Sequence, residues 1–349
     1  MKYLSVRTKL LLAVAVVLGA FVVTGMYNRP GTEVSAQAEP QHLRWLLSHQ
    51  PTSVFDRAAA VFAEVLEKES NGSLTIDVVT PGEVGVGKGD IPNTDVFRYL
   101  EDGTVELATT YTVGLGNEVP AFWSLTLPFL FESYAQAGTV LDGSAGQSIL
   151  DTASGQTSAR ALAFTMSGGF RIIASKNTKI TSLSDVKGKR IATSGGPVAE
   201  ATLTALGAVP VPTNLEDGAP AIDVDSIDGI ETTYSRLSSV IGSQTQYVKY
   251  VNETNHSLFL TTILVNGAFY ESLSPQNRVA LQKAARAAAA VEREDSVTLG
   301  EKTKGELAAS GSVIVIPADT AAFHEAVQSV YEKFTPLFGA ELIAALRGQ

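Results

Sequence analysis

The sequence predicts an α/β fold of two lobes joined by a long helix, and three observations support this prediction. Segments typical of strands alternate with segments typical of helices along most of the chain. The 349 residues give room for two medium domains, each with its own core. An alanine-rich stretch that begins at Ser274 is long enough, as a helix, to reach across both lobes.

The first elements are predicted from short periodicities. Residues 42–48 form a strand candidate, apolar residues then recur at helical spacing from Phe55 to Leu66, and Leu74 to Val78 alternate as in a strand. Residues 125–131 are predicted as an apolar loop or strand. Further strands are predicted at 105–110, 161–164, 171–174, 190–193 and 209–211, and further helices at 95–101 and 198–206. This alternation favours mainly parallel sheets with crossover helices.

The last quarter of the chain is predicted to be mostly helical. Ser274 is a suitable N-cap, Pro275 suits the first helical position, and Gly311 ends the long helix. A strand at 312–317 follows, and residues 319–345 are predicted as a helix broken near Pro336 and Gly339.

The N-terminus has the pattern of an export signal. Three basic residues precede an apolar run at 10–26, and a small-x-small site ends at Ala38. Cleavage after Ala38 is expected, and the alternatives are an uncleaved membrane anchor, since the run is near the minimum span, and a buried helix. Segment 1–38 holds four basic residues and one acidic residue, so its removal changes the net charge from -10 to -13.

Composition and motifs exclude several classes of function. The chain has no cysteine, which excludes disulfides, thiolate metal sites and cysteine nucleophiles. With 26 basic against 36 acidic residues, nucleic acid is not an expected partner. Gly82, Gly87 and Lys88 match the spacing of a phosphate loop, but Gly89 replaces the required hydroxyl residue and Pro92 interrupts the helix. The four histidines are dispersed, so neither a metal site nor any other cofactor is expected.

Eight motifs resemble, in their order and spacing, the solute-binding proteins of tripartite ATP-independent periplasmic (TRAP) transporters, the DctP-like family. They lie at 62–78, 100–110, 124–143, 168–176, 181–191, 206–212, 227–231 and 265–275. The resemblance implies a two-lobed periplasmic-binding-protein fold with a ligand cleft between the lobes. It implies a first lobe of residues 42–168 plus 257–296 and a second lobe of residues 169–256 plus 297–349.

The resemblance also implies a function. It implies a monomeric periplasmic receptor that captures a small organic solute, an organic acid, by lobe closure and delivers it to a membrane permease. Two alternatives stay open: a membrane-anchored sensory or scaffold protein with the same fold, and a periplasmic enzyme on a similar two-lobed fold. The enzyme is disfavoured because the sequence shows no nucleophile, base and orienting residue in a recognisable pattern.

Arginine positions are central to the site that the resemblance implies. A carboxylate enclosed away from water needs charge-assisted hydrogen bonds, and Arg171 stands where the family has its first carboxylate-binding arginine. The family's second arginine falls at Ala192. Arg190 lies on the same side of that strand and either reaches the cleft or faces solvent at the strand end. The departure puts a simple carboxylate ligand in question.

Other ligand-binding candidates come from positions that match the family. They are His49, Gln50, Tyr111, Thr112, Thr193, Ser194, Glu231, Thr232 and Asn266. Thr232 stands where the family commonly has asparagine, and Asn266 is alternatively a buried structural amide. Phe122, Trp123 and Phe259 are predicted to belong to the core or the cleft rim rather than to stack on ligand.

Overall fold

A computed structural model describes residues 40–47, 52–85, 93–213, 225–237 and 248–348. Within these residues the strands form two sheets, one of five strands in the order β2-β1-β3-β10-β4 and one of six in the order β11-β9-β5-β8-β6-β7. The strands are β1 Gln41–Leu47, β2 Leu74–Val79, β3 Leu107–Tyr111, β4 Ala159–Phe170, β5 Ile172–Ser175, β6 Arg190–Thr193, β7 Val209–Pro212, β8 Gly229–Thr232, β9 Tyr250–Glu253, β10 Leu258–Asn266 and β11 Ile314–Pro317. Two sheets in one α/β chain confirm the predicted two-lobed fold class.

Helices connect and cover these strands. They are α1 Asp56–Glu69, α2 Asn93–Glu101, α3 Thr112–Leu115, α4 Tyr134–Asp142, α5 Ser144–Gln156, α6 Leu183–Val186, α7 Gly196–Ala205, α8 Gly267–Ser272, α9 Pro275–Ser310, α10 Ala321–Ala326, α11 Gln328–Phe338 and α12 Ala340–Leu346. None of the helices in the described ranges combines the length and the apolar character needed to cross a membrane. The predicted signal segment, residues 1–38, lies outside the described residues.

Both sheets are mainly parallel, as predicted, but each contains one reversed strand that was not predicted. In the first sheet β10 pairs antiparallel with both β3 and β4, whereas β1 pairs parallel with β2 and β3. In the second sheet β5 is the strand that pairs antiparallel with both neighbours, β8 and β9. Each reversed strand is the one that the chain enters directly from the other sheet. Such a strand begins at the edge where its neighbours end, so its direction is opposite to theirs.

The predicted long helix is confirmed from cap to cap. Ser274 Oγ accepts a hydrogen bond from the backbone N–H of Asn277 at 3.2 Å, Pro275 is the first helical residue, and Gly311 ends α9 at φ 66°. The 36-residue helix packs against α1 and β4 of the first lobe and against β11 of the second. It therefore contacts elements of both sheets, as its length predicts.

The structure refines two local predictions. Residues 127–131 form neither a helix nor a strand, which agrees with the loop alternative for 125–131, whereas residues 125 and 126 end a 3-10 helix that begins at Pro120. Pro336 lies inside α11, which continues to Phe338. The break comes at Gly339, whose φ of 85° ends the helix.

The chain crosses between the sheets at two short connections as well as along α9. The first joins β4 to β5 at Phe170 and Arg171, and the second, residues 254–257, joins β9 to β10. The backbone N–H of Arg171 donates to the carbonyl oxygen of Ser257 at 2.8 Å, so the two connections run side by side. The ends of several strands are thereby brought together at one place.

Candidate functional site

The candidate site lies where strand ends from the two sheets meet. β3 ends at Tyr111, β6 at Thr193 and β8 at Thr232, while β10 begins beside the crossing at Arg171. Ligands of α/β sheets commonly bind beyond the carboxyl ends of the strands, because loops and unpaired backbone groups are available there. The side chains at these ends therefore define the site.

Arg171 is buried at the crossing, with 3% of its surface exposed. Its Cζ lies 4.2 Å from the centre of the Phe259 ring, and its Nη1 lies 3.6 Å from Glu231 Oε1. The guanidinium is thus held between an aromatic face and a carboxylate, and both favour its charged form. The structure thus places Arg171 at the crossing between the two sheets.

Glu231 is the buried anion of this site. Its carboxylate accepts hydrogen bonds from Thr193 Oγ1 and from His256 Nε2, the latter at 3.0 Å. Burial alone would raise the pKa of Glu231, but the charge of Arg171 and the hydrogen bonds from His256 and Thr193 outweigh it and hold the pKa at about 2. Glu231 is therefore ionised at neutral pH. Its charge holds Arg171 in place, and its carboxylate accepts the hydrogen bond that the Thr193 hydroxyl donates.

A second buried guanidinium belongs to Arg236, a residue that sequence reasoning missed. Arg236 is 3% exposed, and its Nη1 donates a hydrogen bond to the Tyr111 hydroxyl. Its Cζ lies 5.2 Å from the centre of the Phe259 ring, the same ring that contacts Arg171. The candidate site therefore has two arginines, and the second comes from the segment that follows β8.

We call these residues the strand-end cluster: Tyr111, Arg171, Thr193, Glu231, Arg236, His256 and Phe259. The sequence predicted four of them, and the structure brings those four together. His256 was considered only as a metal ligand, yet its Nδ1 lies 2.8 Å from Thr254 Oγ1 and its Nε2 contacts Glu231. Phe259 is buried, as predicted, but it also packs against both guanidinium groups.

Thr232 and its neighbours add hydroxyl groups beside the cluster. Thr232 is 2% exposed, and its Oγ1 has no hydrogen-bond partner within the described part of the chain. Thr112 is engaged elsewhere, since its Oγ1 lies 2.8 Å from Thr262 Oγ1. Ser194 is half-buried after Thr193. The predicted residues His49 and Gln50 lie outside the described residues.

Arg190 and Asn266 are not at the cluster. Arg190 is exposed, and its Nε lies 3.7 Å from Asp228 Oδ2, so the structure favours the alternative of a solvent-facing strand-end arginine. Asn266 Oδ1 accepts a hydrogen bond from the backbone N–H of Phe269 at 2.6 Å and caps α8. It lies seven residues along β10 from Phe259, a distance of about 23 Å in a strand. Asn266 is the structural amide of the two alternatives.

The chemistry of the cluster suits the binding of an anion. Both ring nitrogens of His256 contact polar partners, Thr254 and Glu231. Among the described residues no group of three or more acidic or histidine side chains could hold a metal ion. Buried guanidinium and hydroxyl groups are the donors that replace water around a carboxylate.

Comparison with known proteins gives consistent matches. The model of the family described as bacterial extracellular solute-binding protein, family 7 (DctP), matches residues 47–336. The C4-dicarboxylate-binding periplasmic protein DctP of Rhodobacter capsulatus is 27% identical over 320 residues, covering 90% of this chain and 92% of that protein.

Solved structures share the fold. The sugar acid binding protein DctPAm of Advenella mimigardefordensis, in complex with galactonate, superposes with a TM-score of 0.75 at 24% identity, covering 89% of this chain and 97% of that one. A TRAP periplasmic solute binding protein of Bordetella bronchispeptica, with density assigned to pantoate, gives a TM-score of 0.75 at 26% identity, covering 88% and 98%.

Proposed function

The chain belongs to family 7 of the bacterial extracellular solute-binding proteins, and on that premise we propose that it is the receptor of a TRAP transporter for a small organic acid. The observation behind the ligand class is the pair of buried arginines, Arg171 and Arg236, packed on Phe259. A carboxylate that leaves water loses hydration worth several kcal/mol, and charged donors of this kind replace it.

The ligand is proposed to carry hydroxyl groups as well as a carboxylate. Thr232 contributes a buried hydroxyl that has no partner in the described residues, and Ser194 contributes a half-buried one. A polar group of the ligand would satisfy the Thr232 hydroxyl, whose burial otherwise costs about 1 to 3 kcal/mol. Galactonate and pantoate, the compounds assigned in two similar structures, are both hydroxylated carboxylic acids.

Capture is proposed to proceed by closure of the two lobes. The lobes are residues 42–168 plus 257–296 and residues 169–256 plus 297–349, and the connections at 170–171 and 254–257 serve as hinges. Side chains from both lobes then enclose the ligand, which excludes water and strengthens each charged contact. The ligand is released unchanged to the membrane subunits of the transporter, so the protein is proposed not to be an enzyme. Residues 1–38 are proposed to direct its export to the periplasm.

The proposal is tested by thermal unfolding of the purified protein against a panel of compounds. The panel contains C4-dicarboxylates, sugar acids and short hydroxy acids, with polyols and amines as uncharged and cationic controls. A true ligand at a hundred times its Kd adds about 2.7 kcal/mol to the free energy of unfolding, which gives a shift of several degrees. Stabilisation by acids alone is expected. Stabilisation by an amine or polyol alone, or by no compound, would contradict the proposed ligand class.

A further inference from the structure

A second buried glutamate, Glu292, lies on α9 opposite the end of β4, outside the strand-end cluster. Its exposed fraction is 0%, and among the described residues no ion pair involves it. The neighbouring Arg293 donates instead to Asp142 and, at 2.9 Å, to the carbonyl oxygen of Phe164. Asp295, on the same helix, pairs with Arg57 of α1. Glu292 is thus enclosed without a counter-charge in contact.

The strand that faces Glu292 is irregular. Leu260 pairs with Met166 and Phe259 pairs with Gly169, so β4 carries two extra residues at this point and its ladder with β10 is interrupted. Backbone N–H groups of β4 that no longer pair with β10 donate hydrogen bonds to side chains of α9 instead. The N–H of Met166 donates to Glu292 Oε2 at 2.6 Å, and the N–H of Gly168 donates to Ser296 Oγ at 3.3 Å.

The contacts of Ser296 determine where a proton must lie. Ser296 Oγ is 3.0 Å from the carbonyl oxygen of Met166 and 2.6 Å from Glu292 Oε1, and it also accepts from Gly168. A hydroxyl has one proton and two lone pairs, and a carbonyl can only accept. If the serine proton goes to Met166, the short contact with Glu292 is a hydrogen bond only when the carboxyl group donates. All contacts are satisfied together only by a neutral carboxylic acid.

We propose that Glu292 is a protonated carboxylic acid at neutral pH and acts as a positioning residue that holds the bulge of β4 where the chain crosses to the second lobe. The bulge adjoins the proposed ligand site, because a Cβ on Gly168 would lie 1.8 Å from Ser235 Oγ and 2.4 Å from Thr233 Oγ1. Glu292 thereby acts through Ser296 and Gly168 on the segment that carries Arg236. This functional consequence rests on the proposed receptor function, whereas the protonation state does not.

The electrostatics of the site support the proton. Burial raises the pKa of Glu292, and the contacts with Ser296 and Met166 offset this only in part, which leaves the pKa at about 8. Of the charged groups that face it, Arg293 favours ionisation but is paired with Asp142, and Asp295 opposes ionisation and is paired with Arg57. Ionisation at alkaline pH would draw the Ser296 proton to the carboxylate and leave the contact with Met166 unbonded.

Glu292→Gln tests the proposal, since a glutamine has the donor and acceptor of the neutral acid and does not titrate. The measurement is denaturant unfolding of both proteins, without ligand, between pH 5 and pH 9. A folded-state pKa above the unfolded value gives stability that is present at low pH and lost as the pH rises to the folded value. As the pH rises, the folding equilibrium constant of the wild type should fall about tenfold per pH unit relative to that of the variant. This fall should level off above pH 8.

Parallel pH profiles for the wild type and Glu292→Gln would overturn the proposal. The matched control is Glu294→Gln, an exposed residue two positions along the same helix, whose profile should stay parallel to the wild type. Should Glu292→Gln fail to fold, the infrared spectrum of the wild type decides: a protonated carboxyl band present at pH 7 and lost at pH 10 is expected, and its absence at pH 7 would overturn the proposal.

A ligand measurement separates this inference from the proposed function. Using an acid that stabilises the protein in the compound panel, we expect the affinity of the wild type to fall several-fold between pH 7 and pH 9, and that of Glu292→Gln to stay constant. If the affinity of both proteins depended on pH in the same way, Glu292 would have no positioning role in ligand binding. If no acid in the panel binds, the receptor function fails while the unfolding comparison still decides the protonation state.

Discussion

Glu231 and Glu292 are both enclosed by the protein, yet they ionise in opposite ways. Glu231 contacts Arg171 and accepts from His256 and Thr193, and its pKa is lowered to about 2. Glu292 accepts a hydrogen bond from the N–H of Met166 but contacts no cation among the described residues, and its burial leaves its pKa raised to about 8. Burial disfavours the charged form in both. A neighbouring cation is therefore what decides the sign of the shift.

The two environments suit two different tasks. At the strand-end cluster an ionised Glu231 holds a guanidinium in a fixed orientation, which is useful where an anionic ligand must be met by preorganised donors. At the bulge of β4 a neutral acid can both donate and accept, which is what two backbone groups and one serine require there. One residue type thus supplies a charge in the cleft and a hydrogen-bond bridge at the crossing.

The largest effect is expected from Arg171→Ala, which removes the cation that distinguishes the two glutamates. Glu231 would remain buried with hydrogen bonds from His256 and Thr193 but without the guanidinium, and breaking a buried pair in this way costs about 3 kcal/mol of stability. Affinity for an acid ligand should fall at least tenfold, because charged hydrogen bonds contribute about 1.5 to 3 kcal/mol. Denaturant unfolding and isothermal titration measure the two effects.

Arg190→Ala is the matched control for Arg171→Ala. Arg190, like Arg171, has an acidic neighbour, Asp228, but it is exposed, so little change in either stability or affinity is expected. Equal losses in the two variants would show that burial at the crossing is not what makes Arg171 important.

A similar effect on stability is expected when the wild type is acidified. Stability falls as the pH falls at Glu231, whereas at Glu292 it falls as the pH rises. Because the folded-state pKa of Glu231 is about 2 and its ordinary value is 4.5, its stabilising contribution is present above pH 4.5 and is lost as the pH falls toward 2. The stability advantage of the wild type over Glu231→Gln should therefore shrink by roughly 3 kcal/mol over that range. Unfolding curves of both proteins at pH 2 to 6 measure it. An advantage that stays constant would mean that Glu231 is not ionised through the Arg171 contact.

Much of the fold follows from local sequence signals. The caps of α9 at Ser274 and Gly311 are local, and both ends of the helix were predicted from them. The directions of β5 and β10 were not, because they depend on where the chain crosses between sheets, which no short periodicity encodes. The mixed sheets are a consequence of the tertiary path.

The same distinction applies to the site. Thr193 ends a predicted strand and Glu231 lies in a motif that the resemblance supplied, and the parallel pairing of β6 with β8 places them side by side. Arg236 and His256 lie in connecting segments, where a single charged residue has no pattern to set it apart from a solvated one. The only available signal for Arg236 was its short distance in sequence from Glu231.

The smallest effect is expected from Thr232→Val. This substitution tests whether a buried hydroxyl group without a partner behaves differently from one that has a partner. The Thr232 hydroxyl has no partner in the described residues, so its removal in the ligand-free protein should leave stability unchanged or raise it by about 1 kcal/mol.

Thr202→Val is the matched control: Thr202 is equally buried, but its Oγ1 donates to the carbonyl oxygen of Val198 at 2.8 Å, so stability should fall by about 1 kcal/mol. Only Thr232→Val should weaken ligand binding, by about fivefold for one neutral hydrogen bond. If Thr232→Val bound the ligand as tightly as the wild type, the Thr232 hydroxyl would not contact the ligand. The proposed ligand class would then be supported by the two buried arginines alone.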